Sequence, residues 1–128
     1  MTKIEVSTMR GRPLEPSKTL IVVKSQFEGI HAWDKCPHDD VGFLRHPHRH
    51  IFHVTMKVEV SHDDRQLEFI QVKRKLTQFL NSLDVLNLGS TSCEMLAKQI
   101  GRFFVPIFPV NMVSVSEDEE NSAEVYFS

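Results

Sequence analysis

Three histidines fall within five positions of the sequence, at His46, His48 and His50. His48 and His50 are two residues apart, and side chains at that spacing point to the same side of a β-strand. Two imidazoles placed in this way can share one metal ion, and histidine nitrogen is a common zinc ligand. The pair is equally consistent with two half-exposed histidines at a strand end, because histidine is often only partly buried.

A third histidine favours the metal interpretation. His31 lies at the end of an earlier predicted strand and has the parity of its apolar side chains. If the two strands pair, His31 comes close to His48 and His50, and three imidazoles with an open fourth position are typical of a catalytic zinc site. We therefore predict these three residues as metal ligands. Three further histidines are not expected to reach this point, because of their strand parity or their position in a loop. They are His46, His53 and His62.

Glu117 is a carboxylate at a position where an apolar strand face would continue. Val113, Val115 and Glu117 share one parity, and burying an unpaired carboxylate is costly. Two interpretations remain open. Glu117 accepts hydrogen bonds from a ligand with adjacent N–H donors, or the strand frays into the acidic turn that follows it, since runs of charge usually mark solvated turns.

The elements that must position these residues follow from the hydrophobic periodicity. Alternation predicts strands over 19–31, about 49–61, 110–117 and 123–128. Helical spacing predicts an amphipathic helix over 68–83 and a second one after Ser90, Thr91 and Ser92, any of which could be its N-cap. The stripes predicted to be buried are Phe69, Val72, Leu76, Phe79, Leu80 and Leu83 in the first helix, and Cys93, Leu96, Ala97, Ile100, Phe103 and Phe104 in the second. The order ββααββ indicates the α+β class.

Length and composition predict one domain over residues 18–128, preceded by an arm over 1–17, in which Arg10, Gly11, Arg12, Pro13 and Pro16 interrupt any long element. The 128 residues are 41% hydrophobic, enough for one modest core. A net charge of −2 gives no field that would gather a phosphate backbone, so nucleic acid is not the expected partner. No run approaches the roughly 18 to 20 apolar residues of a membrane span. We expect a soluble cytoplasmic protein in which Cys36 and Cys93 are free thiols.

Several short motifs occur in a fixed order along residues 19–128. They are Phe27 with His31, His48 with His50, Leu83-Asp84 with Leu86-Asn87, Ser92 to Ala97, Val115 to Glu117, and Tyr126. In this order and spacing they resemble the 6-pyruvoyltetrahydropterin synthase and 6-carboxytetrahydropterin synthase family. The resemblance implies the tunnelling fold, in which an antiparallel sheet carries two helices on one face and subunits associate through their sheets into a β-barrel. It also implies a homo-oligomer, a trimer or a hexamer.

The resemblance assigns roles to single residues. It implies that His31, His48 and His50 bind Zn²⁺, that Glu117 anchors the amino-pyrimidine edge of a pterin, and that Glu94 belongs to the binding region. The implied activity is a lyase-type elimination on the side chain of 7,8-dihydroneopterin triphosphate, or of a related pterin or deazapurine precursor such as those of queuosine-like routes. The implied partner is thus a small pterin-like or purine-like molecule.

The sequence departs from the family at the residues that transfer protons. Arg49 replaces the usual glycine between the two ligands, and the cysteine that the family has upstream of them is absent. Asp84 matches a catalytic aspartate of the family, but Val85 stands where the family has the histidine that works with it.

The long loop after the first strand offers a replacement for the missing cysteine. Its candidates for the base are Cys36, His38, Asp39 and Asp40, of which we prefer Cys36 because the field of a cation lowers the pKa of a nearby thiol. The predicted catalytic residues are therefore Cys36 and Asp84. Two functions stay open: a zinc-dependent pterin enzyme, and a non-catalytic protein that binds zinc and a pterin-like or purine-like ligand. A third alternative is that zinc only clamps the strands together, in which case a chelator unfolds the protein without affecting any ligand.

Overall fold

Four strands form one antiparallel sheet in the computed structural model, which describes residues 14–128. The strands β1 (Thr19–His31), β2 (His48–Val60), β3 (Val110–Glu117) and β4 (Asn121–Tyr126) are neighbours in that order. Two helices, α1 (Phe69–Asn81) and α2 (Cys93–Phe104), share one core with the sheet. The predicted order ββααββ is confirmed. Most of the predicted arm, residues 1–13, lies outside the described residues, and residues 14–17 are exposed and form no strand.

The core lies between one face of the sheet and the two helices. Strand β2 supplies it by strict alternation, since Val54, Met56 and Val58 are at most 1% exposed and point to the same side. The helices contribute stripes at helical spacing: Val72, Leu76 and Leu80 from α1, and Leu96, Ala97, Ile100 and Phe104 from α2. Apart from Ala97, each of these side chains stabilises the fold by about 1.5–3 kcal/mol through burial.

Two predicted core residues are exposed instead. Phe69 is 57% exposed because it is the first residue of α1, almost one turn before Val72, which is the first residue of the helix to be buried. Phe103 is 49% exposed because it lies on the flank of its helix, where it stacks on Phe79 with ring centroids 4.4 Å apart. Each predicted stripe therefore included a large aromatic side chain that the core does not bury.

Two connections bring polar residues to the end of β1. The segment between the helices runs beside this strand end: Leu88 N–H donates to the Ile30 carbonyl and Ala32 N–H donates to the Gly89 carbonyl, at 3.0 and 2.9 Å. This pairing places the start of α2 next to β1, with Ser92 as its N-cap. The loop between β1 and β2 contains a 3-10 segment at Asp39–Arg45.

In the part of the chain that the structure describes, neither helix has the length and apolarity that crossing a bilayer requires.

Candidate metal centre and ligand cleft

Three histidines converge at the end of the sheet. His31 lies directly opposite His48 in the β1–β2 register, and Gly29 lies opposite His50. All three imidazoles are on the helix side of the sheet, and each can offer a nitrogen such that the three atoms lie within 4.8 Å of one another. Strand pairing thus brings together the three residues predicted from parity.

One nitrogen of each imidazole ring, Nδ1, takes part in a hydrogen bond. Nδ1 lies 2.9 Å from the Thr91 carbonyl oxygen in His31, 2.8 Å from the His46 carbonyl oxygen in His48, and 2.7 Å from Asp118 Oδ2 in His50. Carbonyl oxygens only accept hydrogen bonds, so Nδ1 carries the proton in His31 and His48. The His50 bond lowers the pKa of Asp118, which is therefore an ionised acceptor. In neutral rings this arrangement leaves the Nε2 lone pair of all three histidines free.

The free lone pairs fit a divalent cation. Nε2 of His31 and of His50 is buried without a hydrogen-bond partner, although the Glu117 oxygens approach to 3.2 and 3.3 Å. Those distances allow an ion pair, but the geometry is not that of a hydrogen bond, and unprotonated nitrogens facing a carboxylate are all acceptors. A proton on one of the nitrogens, or a cation bound by them, removes the conflict. Imidazoles whose other nitrogen donates to an oxygen are the usual surroundings of a zinc ion.

A cleft of about 790 Å³ opens beside the histidines. Its lining includes His31, His48, Trp33, Cys93, Glu94 and Glu117. Trp33 is held there by its backbone N–H, which donates to the Leu44 carbonyl oxygen at 2.7 Å. The cleft therefore combines an aromatic wall, two carboxylates and the histidine cluster, and its volume lies within the range of small-molecule sites.

Cys93 is a cleft residue that the sequence prediction placed in the core. Its thiol donates to Glu117 Oε1 at an Sγ–O distance of 3.8 Å. Burial, followed by the charge of Glu117, raises the pKa of this thiol to about 12, so it is protonated at neutral pH. The sequence left three candidates for the N-cap before it, and the structure identifies Ser92, so that Cys93 is the first residue of α2. Nothing in the periodicity indicated that this end of α2 faces the histidines.

The remaining predicted site residues are divided between the cleft and its surroundings. Glu94 is exposed and lines the cleft, as Glu117 does. Cys36 is only 4% exposed and is not among the lining residues; its thiol points to the His38 carbonyl oxygen at 3.6 Å. Asp84 is exposed before the short 3-10 turn Val85–Asn87 and also lies outside the lining.

The antiparallel sheet and the two helices are those of the tunnelling fold that the sequence motifs implied. Among solved structures, 6-pyruvoyl tetrahydropterin synthase from Caenorhabditis elegans aligns with a TM-score of 0.69 and 12% identity, over 90% of this chain and 99% of that chain. An uncharacterized protein from Wolinella succinogenes aligns with a TM-score of 0.60 and 13% identity, over 88% and 100% of the two chains. No protein-family model and no curated protein matches the sequence. At these identities the likeness confirms the fold.

Proposed function

We propose that this protein is a zinc-dependent enzyme that processes a pterin-like heterocycle by a lyase-type side-chain elimination. The proposed substrate is 7,8-dihydroneopterin triphosphate or a related pterin or deazapurine precursor. One observation carries the proposal: His31, His48 and His50 leave their Nε2 lone pairs free beside the cleft. Similarity to a tetrahydropterin synthase in fold supports the choice of substrate class.

The histidine cluster and the cleft offer residues that would bind the metal and the heterocycle. His31, His48 and His50 would hold Zn²⁺, which supplies a Lewis acid that polarises a side-chain oxygen of the substrate. Glu117 presents two acceptor oxygens, the complement of the two adjacent N–H donors of an amino-pyrimidine edge. Cys93 donates to one of those oxygens and so restricts the rotation of the carboxylate.

Proton transfer requires a base and an acid within reach of the substrate. We retain Cys36 and Asp84 as the candidates that the sequence offers, and we add Cys93 because it lines the cleft. Cys36 takes part only if the loop that carries it moves, since its thiol is buried. Separate Cys36→Ala and Cys93→Ala variants distinguish the two thiols.

A second function has its own support. Cys36 and Asp84 both lie outside the cleft lining, and the thiol that does line the cleft is held in its neutral form. These observations favour a non-catalytic protein that binds zinc together with a pterin-like or purine-like ligand.

We propose in addition that the protein is a cytoplasmic homo-oligomer, a trimer or a hexamer, that assembles through its sheets. Strands β1 and β4 are the two edges of the sheet, and edge strands present unpaired backbone donors and acceptors that another chain can satisfy. Such an assembly places the clefts at subunit interfaces.

Turnover decides between enzyme and binding protein. The experiment incubates full-length, metal-analysed, zinc-loaded protein with 7,8-dihydroneopterin triphosphate and follows the products by mass, beside His48→Ala, Cys36→Ala and Cys93→Ala variants. Conversion by the wild type that is lost in His48→Ala supports the enzyme. Substrate that is bound but unchanged supports the binding protein. If the wild type neither binds nor converts the substrate, both functions are refuted.

Replacing Glu117 by glutamine is expected to weaken ligand binding about 10- to 100-fold, because hydrogen bonds to charged groups contribute roughly 1.5–3 kcal/mol. The amide keeps one acceptor and puts a donor where the second was. Trp33 is the single tryptophan of the chain and lines the cleft, so quenching of its fluorescence measures the Kd directly.

Glu120→Gln is the matched control for this substitution. Glu120 is exposed in the same hairpin and lies outside the cleft lining, so its variant should bind like the wild type. Equal affinities for Glu117→Gln and the wild type would exclude Glu117 as the ligand anchor.

A further inference from the structure

The His50 ring is held by a side chain, whereas His31 and His48 donate to main-chain carbonyls. From the 2.7 Å contact between His50 Nδ1 and Asp118 Oδ2, we propose that Asp118 is a positioning residue that keeps His50 oriented for metal binding. The inference rests on the proposed metal centre and adds to it a residue of the acidic turn, which the sequence offered only as a solvated loop.

The backbone of the turn would suit glycine better than the residues it carries. Asp118 and Glu119 have φ values of 57° and 69°, in the left-handed region that residues with a Cβ rarely adopt. The Asp118 N–H donates to the Ile51 carbonyl at 3.2 Å, which ties the turn to the residue that follows His50. Two residues of this turn share the left-handed conformation, but only the Asp118 carboxylate contacts a histidine of the cluster, and that contact is the observation on which its role rests.

The bond fixes which nitrogen of His50 can bind a metal. A carboxylate that accepts from Nδ1 keeps the proton there, orients the ring and makes Nε2 a better ligand, and loss of such a partner typically weakens metal affinity 10- to 100-fold. Because the Asp118 side chain is exposed, its bond contributes little to the stability of the fold. Stability and metal affinity should therefore respond differently to its removal.

The test measures zinc affinity of the full-length protein by competition with a chromophoric chelator, for the wild type and three variants. Asp118→Gly removes the carboxylate and is expected to bind zinc about 10- to 100-fold more weakly. Asp118→Asn keeps an acceptor oxygen and should lie between Asp118→Gly and the wild type. Glu119→Gly is the matched control, since it also places glycine at a left-handed position of the turn but leaves the His50 bond intact, and its affinity should be unchanged.

A second readout needs no metal. Side-chain ¹⁵N spectra of the metal-free protein should show His50 with its proton on Nδ1 in the wild type and in Glu119→Gly, and a mixture of tautomers in Asp118→Gly. Thermal unfolding should show that neither glycine variant is less stable than the wild type, because glycine adopts the left-handed conformation without strain.

The outcomes separate this inference from the proposed function. Wild-type protein that binds zinc while Asp118→Gly binds it equally well overturns the role of Asp118 and leaves the metal centre standing. Equal weakening in Glu119→Gly and Asp118→Gly also overturns it, because the turn rather than the carboxylate would then matter. If the wild type binds no zinc, the metal centre fails, and an unchanged His50 tautomer in Asp118→Gly then refutes the positioning role by itself.

Discussion

Zinc is expected to stabilise the wild-type protein strongly and to leave His48→Ala almost unaffected. A metal that binds the folded state at a free concentration 1,000 times its Kd adds about 4 kcal/mol to the free energy of unfolding. For a domain of this size that corresponds to a rise in Tm on the order of 15 °C. His48 is opposite His31 and its Nε2 is one of three free lone pairs, so alanine leaves two ligands. Calorimetry with and without zinc measures the difference.

His53→Ala is the matched control, because His53 lies on the same strand but on the opposite face. Its ring is half-buried and approaches Glu119 at 3.5 Å, away from the histidine cluster. The variant should keep the full stabilisation by zinc. Loss of stabilisation in His53→Ala, or its persistence in His48→Ala, would contradict the assignment of ligands by strand parity.

Strand parity made the convergence of the three histidines predictable. Side chains in a strand alternate strictly between two faces, so the sequence alone placed His48 and His50 on one side and His53 on the other. Placing His31 beside them required only that β1 and β2 pair as neighbours, which the structure confirms with His31 opposite His48. Local periodicity therefore determined which residues share a face, and the pairing of adjacent strands brought His31 next to His48.

The cleft was less predictable because it depends on long-range placement. Cys93 faces Glu117 because residues 88–89 pair with the end of β1 and carry the start of α2 there. Asp118 reaches His50 because the hairpin turn adopts two left-handed residues. Neither contact leaves a signal in the hydrophobic pattern, which reports burial along an element and contains nothing about where its ends lie.

Cys36 shows that a position in a polar loop does not determine exposure. The sequence prediction of Cys36 as a base requires that its thiol reach the metal, whereas the loop folds back on itself and leaves Cys36 4% exposed. The Arg45 side chain donates through Nε to the Cys36 carbonyl oxygen at 2.9 Å and through its guanidinium to Asp39 Oδ1 at the same distance. These contacts hold the loop in its folded form, in which the Cys36 thiol donates to the His38 carbonyl oxygen at 3.6 Å.

The Phe52 ring packs against two imidazoles of the histidine cluster. Truncating it should therefore lower both the free energy of unfolding and the affinity for zinc. The ring is fully buried and lies edge-on to His31 and His50, with centroids 5.3 and 5.8 Å apart. Phe52→Ala is expected to cost about 3–5 kcal/mol of folding free energy, a large share of the 5–15 kcal/mol typical of a domain. Denaturant unfolding measures this loss. Phe52→Leu, which leaves a smaller cavity, serves for the zinc titration, and its affinity should fall because both imidazoles lose their support.

Phe104 offers a matched control at the other end of the core. It is as deeply buried as Phe52, stacks on Phe108 with centroids 6.0 Å apart, and lies about 16 Å along α2 from Cys93. Phe104→Ala should lose a similar free energy of unfolding, and Phe104→Leu should bind zinc as tightly as the wild type. If both leucine variants weaken zinc binding equally, general loosening of the core is the cause. Weakening in Phe52→Leu alone means that the histidines depend on the ring beneath them, which links packing at the end of the sheet to the chemistry of the cleft.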